Sequence, residues 1–305
     1  MTESLSPLVT IILLCYKHEN FVGDSVAAVL SQTYSPLEII IFDDCSPDRT
    51  ADVVERAIAE NPTPHDVRFI RNPENVGAYA VVVRGLKMAK GEFIFVSHGD
   101  DIMLPRMVEE MTHVWLREHL SLVTANGHYI DEDSHPLHRT FRDPNQPADD
   151  SFETLVRDGS NACCFGPAIG FDRKVYDTFD WPPAYLNAYD IMVPFYAYLL
   201  EGARFITTPL IKYRVHKNNS SLSLQAEKIS SLESALLEER MLIGHIAHAT
   251  LMEEEIDRLQ NEQPERYRSI AQRIKPLLAI QQSEMAKKLA RVSRQSGTLA
   301  SAQSR

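Results

Sequence analysis

Two adjacent carboxylates, Asp100 and Asp101, come shortly after the apolar run Phe93–Val96. A continuous apolar run of this length predicts a strand that is buried on both faces, and ligands bind outside the carboxyl ends of such strands in open α/β sheets. The two acids are therefore expected where a ligand would lie. Paired carboxylate oxygens suit Mg²⁺ or Mn²⁺, which are often shared with substrate phosphates. The alternative is a solvated turn that leads into a helix cap.

Three further stretches carry residues that could do chemistry. Asp43 and Asp44 end a second apolar run and open a polar turn, where the alternative is an Asx-turn with a helix cap. Asp190 stands at the start of an apolar segment that runs to Gly202, so it could act as a base or cap a helix. His216 follows a strand-like run, and a lone histidine there is more typical of structure than of a site.

The elements that must position these residues alternate along the first part of the chain. Apolar runs typical of buried strands cover residues 8–16, 37–42, 67–70, 93–96 and 120–125. Apolar residues recur at helical spacing over residues 21–32, 50–60, 78–89 and 104–119. Such alternation predicts parallel strands joined by right-handed helical crossovers, an α/β fold with a doubly wound sheet. Residues 131–150, rich in Asp, Pro and His, predict a flap or insertion.

Composition excludes several classes of protein. The 305 residues, 44% of them hydrophobic, are enough for a large globular domain with an extension. A formal charge of −11 argues against nucleic acid as the main partner, since phosphate binding needs a basic surface. Four cysteines without metal-type spacing favour the reducing cytoplasm, and no apolar run reaches the roughly 18 residues of a membrane span. We therefore expect a cytoplasmic protein, soluble or at most peripheral to the inner face of a membrane.

Six short motifs occur in one order along the chain, and together they carry a resemblance. In chain order they are Val9-Thr-Ile-Ile followed by Tyr16, Leu30-Ser-Gln-Thr-Tyr34, Glu38-Ile-Ile-Ile-Phe-Asp-Asp-Cys-Ser46, Asn75-Val-Gly77, Ala89-Lys-Gly-Glu92 and Gly99-Asp-Asp101. No single motif is specific, but the ordered set resembles family 2 glycosyltransferases over roughly residues 7–220. The resemblance implies a GT-A fold, a nucleotide-diphosphate sugar as donor and a divalent cation, Mn²⁺ or Mg²⁺.

The resemblance also implies roles on the donor side of the site. Tyr16, Glu19, Asp44 and Asp100 would bind the nucleotide, with the ring of Tyr16 facing the base, and Asp101 would ligate the metal. Asp44 would accept a hydrogen bond from N3–H of uracil, a donor that cytosine lacks. A buried acceptor left unpaired costs roughly 1–3 kcal/mol, which favours a UDP- or dTDP-linked sugar.

On the acceptor side, the resemblance makes Asp190 the general base of an inverting transfer. Relatives more often carry two acids there, whereas Ile191 follows Asp190 here. The ending Tyr-Arg-Val-His also looks like the family's, so His216 would return to the metal and Arg214 would help to neutralise the phosphates. The first acidic position of the metal motif is His98 here, which leaves the exact ligand set open.

Beyond Leu224 the composition changes to that of long helices. Apolar residues at helical spacing continue to Leu259, Pro264 begins a second helix, and Pro276 caps or kinks it. These helices would either pack on the catalytic domain or pair with a second copy of the chain. The expected regions are a GT-A domain over 1–223, a helical extension over 224–292 and a disordered tail over 293–305.

The sequence thus predicts a metal-dependent, inverting, hexosyltransferase-like enzyme that moves a sugar to the hydroxyl of a glycan or glycoconjugate. The Gln-x-x-Arg-Trp motif of processive synthases is absent, which favours transfer of a single sugar. Two alternatives stay open. A nucleotidyltransferase would typically carry a Gly-rich basic loop after the first strand, but Cys15–Asn20 contains no glycine. A non-catalytic binding or scaffold protein would keep the fold without turnover.

Overall fold

A computed structural model of the chain describes residues 6–145, 151–158, 166–181, 189–217, 219 and 231–303. The chain divides into two compact units. The first contains residues 1–150 and 160–214, and the second contains residues 151–159 and 215–305. The division thus falls earlier than residue 223, where the composition changes, and a short internal segment belongs with the carboxyl-terminal part.

The first unit is built on one mixed sheet. Its described strands are β1 (Val9–Cys15), β2 (Leu37–Asp43), β3 (Asp66–Arg71), β4 (Phe93–His98), β5 (Ile102–Met103), β6 (Leu122–Ile130), β7 (Pro136–Thr140), β8 (Ile169–Asp172) and β9 (Ala203–Arg214). Their order is β3-β2-β1-β4-β8-β6-β9-β5, with β7 paired to β6. The first four strands are parallel, and β8 enters antiparallel between β4 and β6. The expected α/β architecture is confirmed.

Helices alternate with the strands of the first unit and make up most of the second. The described helices are α1 (Val22–Leu30), α2 (Thr50–Glu60), α3 (Ala78–Met88), α4 (Met107–Glu118), α5 (Phe152–Asp158), α6 (Arg173–Thr178), α7 (Tyr189–Leu200), α8 (Ser231–Glu262) and α9 (Pro264–Gln303). Proline disfavours the interior of a helix, yet α7 runs through Pro194. Its neighbours Met192 and Phe195 are fully buried, so packing offsets the one backbone hydrogen bond that proline removes.

The sequence of β1 folds into a central strand because helices cover both of its faces. Ile11 and Leu13 belong to the core cluster that includes Val26 of α1 and Val54 of α2. Ile12 points the other way, towards Gly85 of α3, where an added Cβ would lie 2.8 Å from its Cγ2. All seven residues of β1 are buried, and each large aliphatic side chain contributes roughly 1.5–3 kcal/mol.

The parallel strands end together at one edge of the sheet, called the carboxyl edge below. In the strand register Cys15 lies beside Asp43, and Leu14 lies beside His98. The turns after β1, β2 and β4 therefore meet there, and they contain the acidic pairs that the sequence singled out.

The segment after β6 contains a strand that the sequence did not predict. We expected residues 131–150 to form a flap or insertion, and the first part of this segment contains β7, which pairs antiparallel with β6. Four of its five residues are exposed, so it lacks the apolar alternation by which a strand is recognised. Residues 146–150 lie outside the described part of the chain.

The second unit is a long helical hairpin with α5 attached. Ala235 and Leu242 of α8 pack against Val292 of α9, and the Arg273 guanidinium of α9 donates to Glu153 of α5. The expected disorder after Val292 is wrong, because α9 continues to Gln303 and buries one face, including Ser296, against α8. Among the described residues, no helix is long and apolar enough to cross a membrane.

Candidate active site

The turn after β1 presents an aromatic ring at the carboxyl edge. Tyr16 is 38% exposed, and the Lys17 Nζ lies 5.0 Å from the centroid of its ring. The backbone amide of Lys17 donates to Ser46 Oγ at 3.1 Å, and that of His18 donates to Thr50 Oγ1 at 2.8 Å. These bonds tie the turn after β1 to the turn after β2 and to the start of α2. The backbone that carries the Tyr16 ring is therefore held beside Asp43 and Asp44.

Asp44 organises the loop between β3 and α3. Its Oδ1 accepts from Asn72 Nδ2 at 2.8 Å and from the Val76 amide at 3.1 Å, and its Oδ2 accepts from the Gly77 amide at 2.9 Å. A carboxylate has about four acceptor positions, so Oδ2 retains capacity for a donor from a ligand. Sequence reasoning missed this bracing role, although the Asn75-Val-Gly77 motif marked the loop that it holds.

Asp43 is a further candidate that sequence reasoning gave only a turn role. Its Oδ2 accepts from the Ser46 amide at 3.2 Å, as expected for a turn residue. Its Oδ1 is buried and accepts no hydrogen bond from any residue in the described part of the chain. A buried carboxylate oxygen without a donor costs free energy, so this atom is available to a ligand donor at the carboxyl edge.

Glu19 lies in the same region but is engaged by a neighbour. Its Oε2 accepts from the Arg49 amide at 3.1 Å and from the Arg49 Nε at 3.3 Å, just before α2 begins. At the same place Asp48 Oδ1 accepts from the amide of Thr50, the first residue of α2, at 3.0 Å. Glu19 therefore braces the start of α2, and a role towards the nucleotide remains a prediction.

The acidic pair after β4 forms the centre of the site. Asp101 is 2% exposed and Asp100 is 8% exposed. The Asp101 Oδ1 accepts from the Arg214 backbone amide at 3.0 Å, and the Asp100 Oδ2 lies 3.7 Å from the His18 Nε2. Burial, together with the neighbouring charge of Asp100, raises the pKa of Asp101 well above its usual value. Ionisation of both carboxylates is therefore unfavourable unless a positive charge is brought to the pair.

A divalent cation fits this pair. Two adjacent carboxylates in a buried site favour a hard cation, whose charge would relieve the repulsion between Asp100 and Asp101. No group of three or more His, Cys, Asp or Glu side chains suited to a metal occurs among the residues that the structure describes. A cation here would therefore complete its shell from water and phosphate oxygens, which is the usual arrangement for Mg²⁺ in nucleotide enzymes.

His98 connects the two sides of the site electrostatically. It is the last residue of β4, and burial lowers its pKa. The charges of Asp100 and Asp190 oppose that shift, whereas His18 adds to it. Asp190 is half-buried near the start of α7 and acts on the same imidazole as Asp100. The expected role of Asp190 as the acceptor-side base stays a prediction.

Two further expected site residues, Arg214 and His216, lie at or just after the end of β9. Arg214 belongs to the first unit and His216 to the second. The side chain of Arg214 is 1% exposed and donates to the carbonyls of Asp100, Asp131 and Glu132, so its expected role towards the phosphates stays a prediction. His216 belongs to the second unit, where its backbone amide donates to Asn219 Oδ1. Its expected role as a metal ligand stays a prediction.

Sequence comparison places these features in a known context. Residues 10–179 match the family Glycosyl transferase family 2. An uncharacterized glycosyltransferase from Rickettsia typhi is 30% identical over 247 residues, covering 77% of this chain and 73% of that protein. An uncharacterized glycosyltransferase from Nostoc sp. is 24% identical over 226 residues, covering 70% of this chain and 67% of that protein.

Solved structures share the fold. TarS from S. aureus in complex with UDP-GlcNAc has a TM-score of 0.57 at 14% identity, covering 83% of this chain and 72% of that one. A mannosyltransferase from Pyrobaculum calidifontis in complex with GDP-Man and Mn²⁺ has a TM-score of 0.58 at 15% identity, covering 99% of this chain and 80% of that one. The expected GT-A fold is confirmed.

Proposed function

The chain belongs to glycosyltransferase family 2, and we propose that it transfers one sugar from a UDP- or dTDP-linked donor to an acceptor hydroxyl, with inversion at the anomeric carbon. The acceptor would be a glycan or glycoconjugate. The observation that carries the proposal is the buried acidic pair at the carboxyl edge, where Asp101 Oδ1 accepts from the Arg214 amide and Asp100 Oδ2 lies 3.7 Å from His18 Nε2. Carboxylates for the donor belong at this edge, and Asp190 would supply the base for the acceptor, because bond formation and bond cleavage occur at one carbon.

In this mechanism the residues of the chain act on two partners. The Asp190 carboxylate takes the proton from the acceptor hydroxyl. The oxygen of that hydroxyl attacks the anomeric carbon from the side opposite the departing diphosphate. Asp101 and Asp100 would hold the divalent cation, Mn²⁺ or Mg²⁺, which when bound offsets the negative charge on the leaving group. The mannosyltransferase of the same fold was solved with Mn²⁺, which supports this assignment.

Nucleotide choice follows from the donors on the base. Tyr16 would stack on the base, Asp44 would accept N3–H of uracil or thymine, and Glu19 would brace this side of the pocket through Arg49. Cytosine offers no donor at N3, so CDP would lack the additional hydrogen bond that Asp44 Oδ2 can accept beside that of the Gly77 amide. TarS was solved with UDP-GlcNAc and the mannosyltransferase with GDP-Man, so the shared fold does not by itself select the base.

We expect UDP and dTDP to bind more tightly than CDP, GDP or ADP, with the gap to CDP at roughly 5–150-fold, the equivalent of 1–3 kcal/mol. The Asp44→Ala variant should narrow that gap in calorimetric titrations. Asn72→Ala is the matched control, because it removes one loop contact and keeps the Asp44 carboxylate. Equal affinities for all five nucleotides, or tightest binding of GDP, would contradict the base assignment.

We also propose that two copies of the chain associate through the helical hairpin. Leu236 and Ile243 lie seven residues apart on α8, hence on one face, and are 45% and 52% exposed. The double variant Leu236→Glu, Ile243→Glu should halve the mass measured by light scattering, whereas Glu substitution of the exposed Leu116 on α4 should leave it unchanged. A monomeric mass for the wild-type protein in the same measurement would contradict this proposal.

A further inference from the structure

Arg214 carries a buried charge that the proposed reaction does not use. It is the last residue of β9, and its side chain is 1% exposed. Moving an isolated guanidinium out of water costs several kcal/mol unless the protein supplies hydrogen bonds and opposite charge. The contacts that meet this cost show what the side chain holds.

The guanidinium joins three separate segments of the first unit. One is the acidic turn after β4, the second is the turn between β6 and β7, and the third is the start of α1. Towards the acidic turn, Nε donates to the Asp100 carbonyl at 3.0 Å. Towards the turn between β6 and β7, Nη1 donates to the Asp131 carbonyl at 3.3 Å, the Glu132 carbonyl at 3.1 Å and Ser134 Oγ at 2.8 Å. Towards α1, Nη2 donates to Asp24 Oδ2 at 3.3 Å, and Cζ lies 4.9 Å from the centroid of the Phe21 ring.

The backbone of the same residue reaches the neighbouring acid. The Arg214 amide donates to Asp101 Oδ1, so the main chain fixes the carboxylate of Asp101 while the side chain fixes the peptide of Asp100. Asp24 is the one carboxylate among the side chain's contacts given above and is 61% exposed, and the charge of the guanidinium also acts on the Asp101 carboxylate. The hydrogen bonds of the guanidinium to three backbone carbonyls tie these segments together.

We propose that Arg214 is a positioning residue that holds the turn of Asp100 and Asp101 in its metal-binding geometry before the cation and the diphosphate arrive. The inference rests on the proposed function, because it takes these two carboxylates as the metal-binding group. Preorganised ligands bind more tightly because less order has to be imposed on binding, and partners behind metal ligands typically contribute 10–100-fold in affinity. The turn from Asp131 to Ser134 is held by the same side chain as the acidic turn.

The test is Mn²⁺ binding followed by electron paramagnetic resonance at a fixed, saturating concentration of UDP. Arg214→Lys keeps the charge but cannot reach three segments with one ammonium group. We expect it to weaken Mn²⁺ binding about tenfold or more while UDP binding without metal stays unchanged. Ser134→Ala removes one partner of the guanidinium and should give a smaller loss in the same direction, which also decides the matter if Arg214→Lys does not fold.

The matched control is Arg68→Lys. Arg68 pairs with the buried Glu38 at the opposite edge of the same sheet, so this change removes a comparable contact away from the site. It should lower the melting temperature without changing the affinity for Mn²⁺. Unchanged Mn²⁺ affinity in both Arg214→Lys and Ser134→Ala would overturn the inference, as would a loss of UDP affinity by Arg214→Lys in the absence of metal. Wild-type protein that binds no Mn²⁺ with UDP would instead contradict the proposed function.

Discussion

The Asp190→Asn variant is expected to lower kcat by on the order of 10²–10⁴ while nucleotide-sugar affinity stays nearly the same. Asparagine keeps the shape of the side chain and some ability to cap α7, but it cannot take a proton from the acceptor. The proposed donor contacts lie on Tyr16, Asp44 and the Asp100–Asp101 pair, none of which this substitution changes. Initial rates under saturating donor, together with calorimetric titration of the donor, measure the two quantities separately.

Asp177→Asn provides the control for this experiment. Asp177 lies on α6 in the same unit, is exposed and pairs with Arg173, so its substitution should change neither kcat nor donor affinity. Turnover by Asp190→Asn at the wild-type rate would show that another group takes the proton. A loss of donor affinity equal to the loss of kcat would instead mean that Asp190 binds the donor.

The second large effect is expected for Asp101→Asn, which should abolish the gain in UDP affinity that Mn²⁺ gives. A bound cation stabilises the leaving group by several kcal/mol, so kcat/KM should fall on the order of 10²–10³. The loss should not come from unfolding. The pKa of Asp101 is raised in the folded protein, so its ionised form destabilises the fold, and asparagine keeps an oxygen for the Arg214 amide.

The melting temperature of metal-free Asp101→Asn should therefore equal or exceed that of the wild type at pH 7. Asp66→Asn, an exposed change at the opposite edge of the sheet, should leave both metal dependence and turnover intact. Full Mn²⁺ dependence in Asp101→Asn would assign the cation to other residues, and a large fall in melting temperature would make the activity loss uninformative about metal binding.

Local sequence patterns were sufficient for the framework of the first unit. The apolar runs that became β1, β2 and β4 are continuous because helices cover both faces, and β1 and β4 end within two residues of the expected positions. Since the carboxyl ends of parallel strands meet at one edge, the acidic pairs after β2 and β4 could be assigned to one site from the sequence alone. Their position depends on the parallel direction of these strands, which the alternation of strands and helices predicts.

The parts that could not be predicted depend on contacts between distant segments. Arg214 reaches the Asp100 carbonyl across 114 residues of chain, and Asp44 reaches Gly77 across 33. The residues adjacent to Arg214 in the sequence do not indicate that its side chain donates to backbone carbonyls of distant segments. The helix after Val292 was missed for the same reason, because its polar composition favours disorder until α8 supplies a face to bury against.

The most direct test of the proposed function is a crystal structure of the wild-type protein with Mn²⁺ and an unhydrolysable analogue of a UDP-sugar. We predict that the uracil stacks on Tyr16 with N3–H on Asp44, that Mn²⁺ bridges Asp101 and the diphosphate, and that the anomeric carbon faces Asp190. A nucleotide bound away from the carboxyl edge would contradict the central claim, as would a sugar whose anomeric carbon is turned away from Asp190.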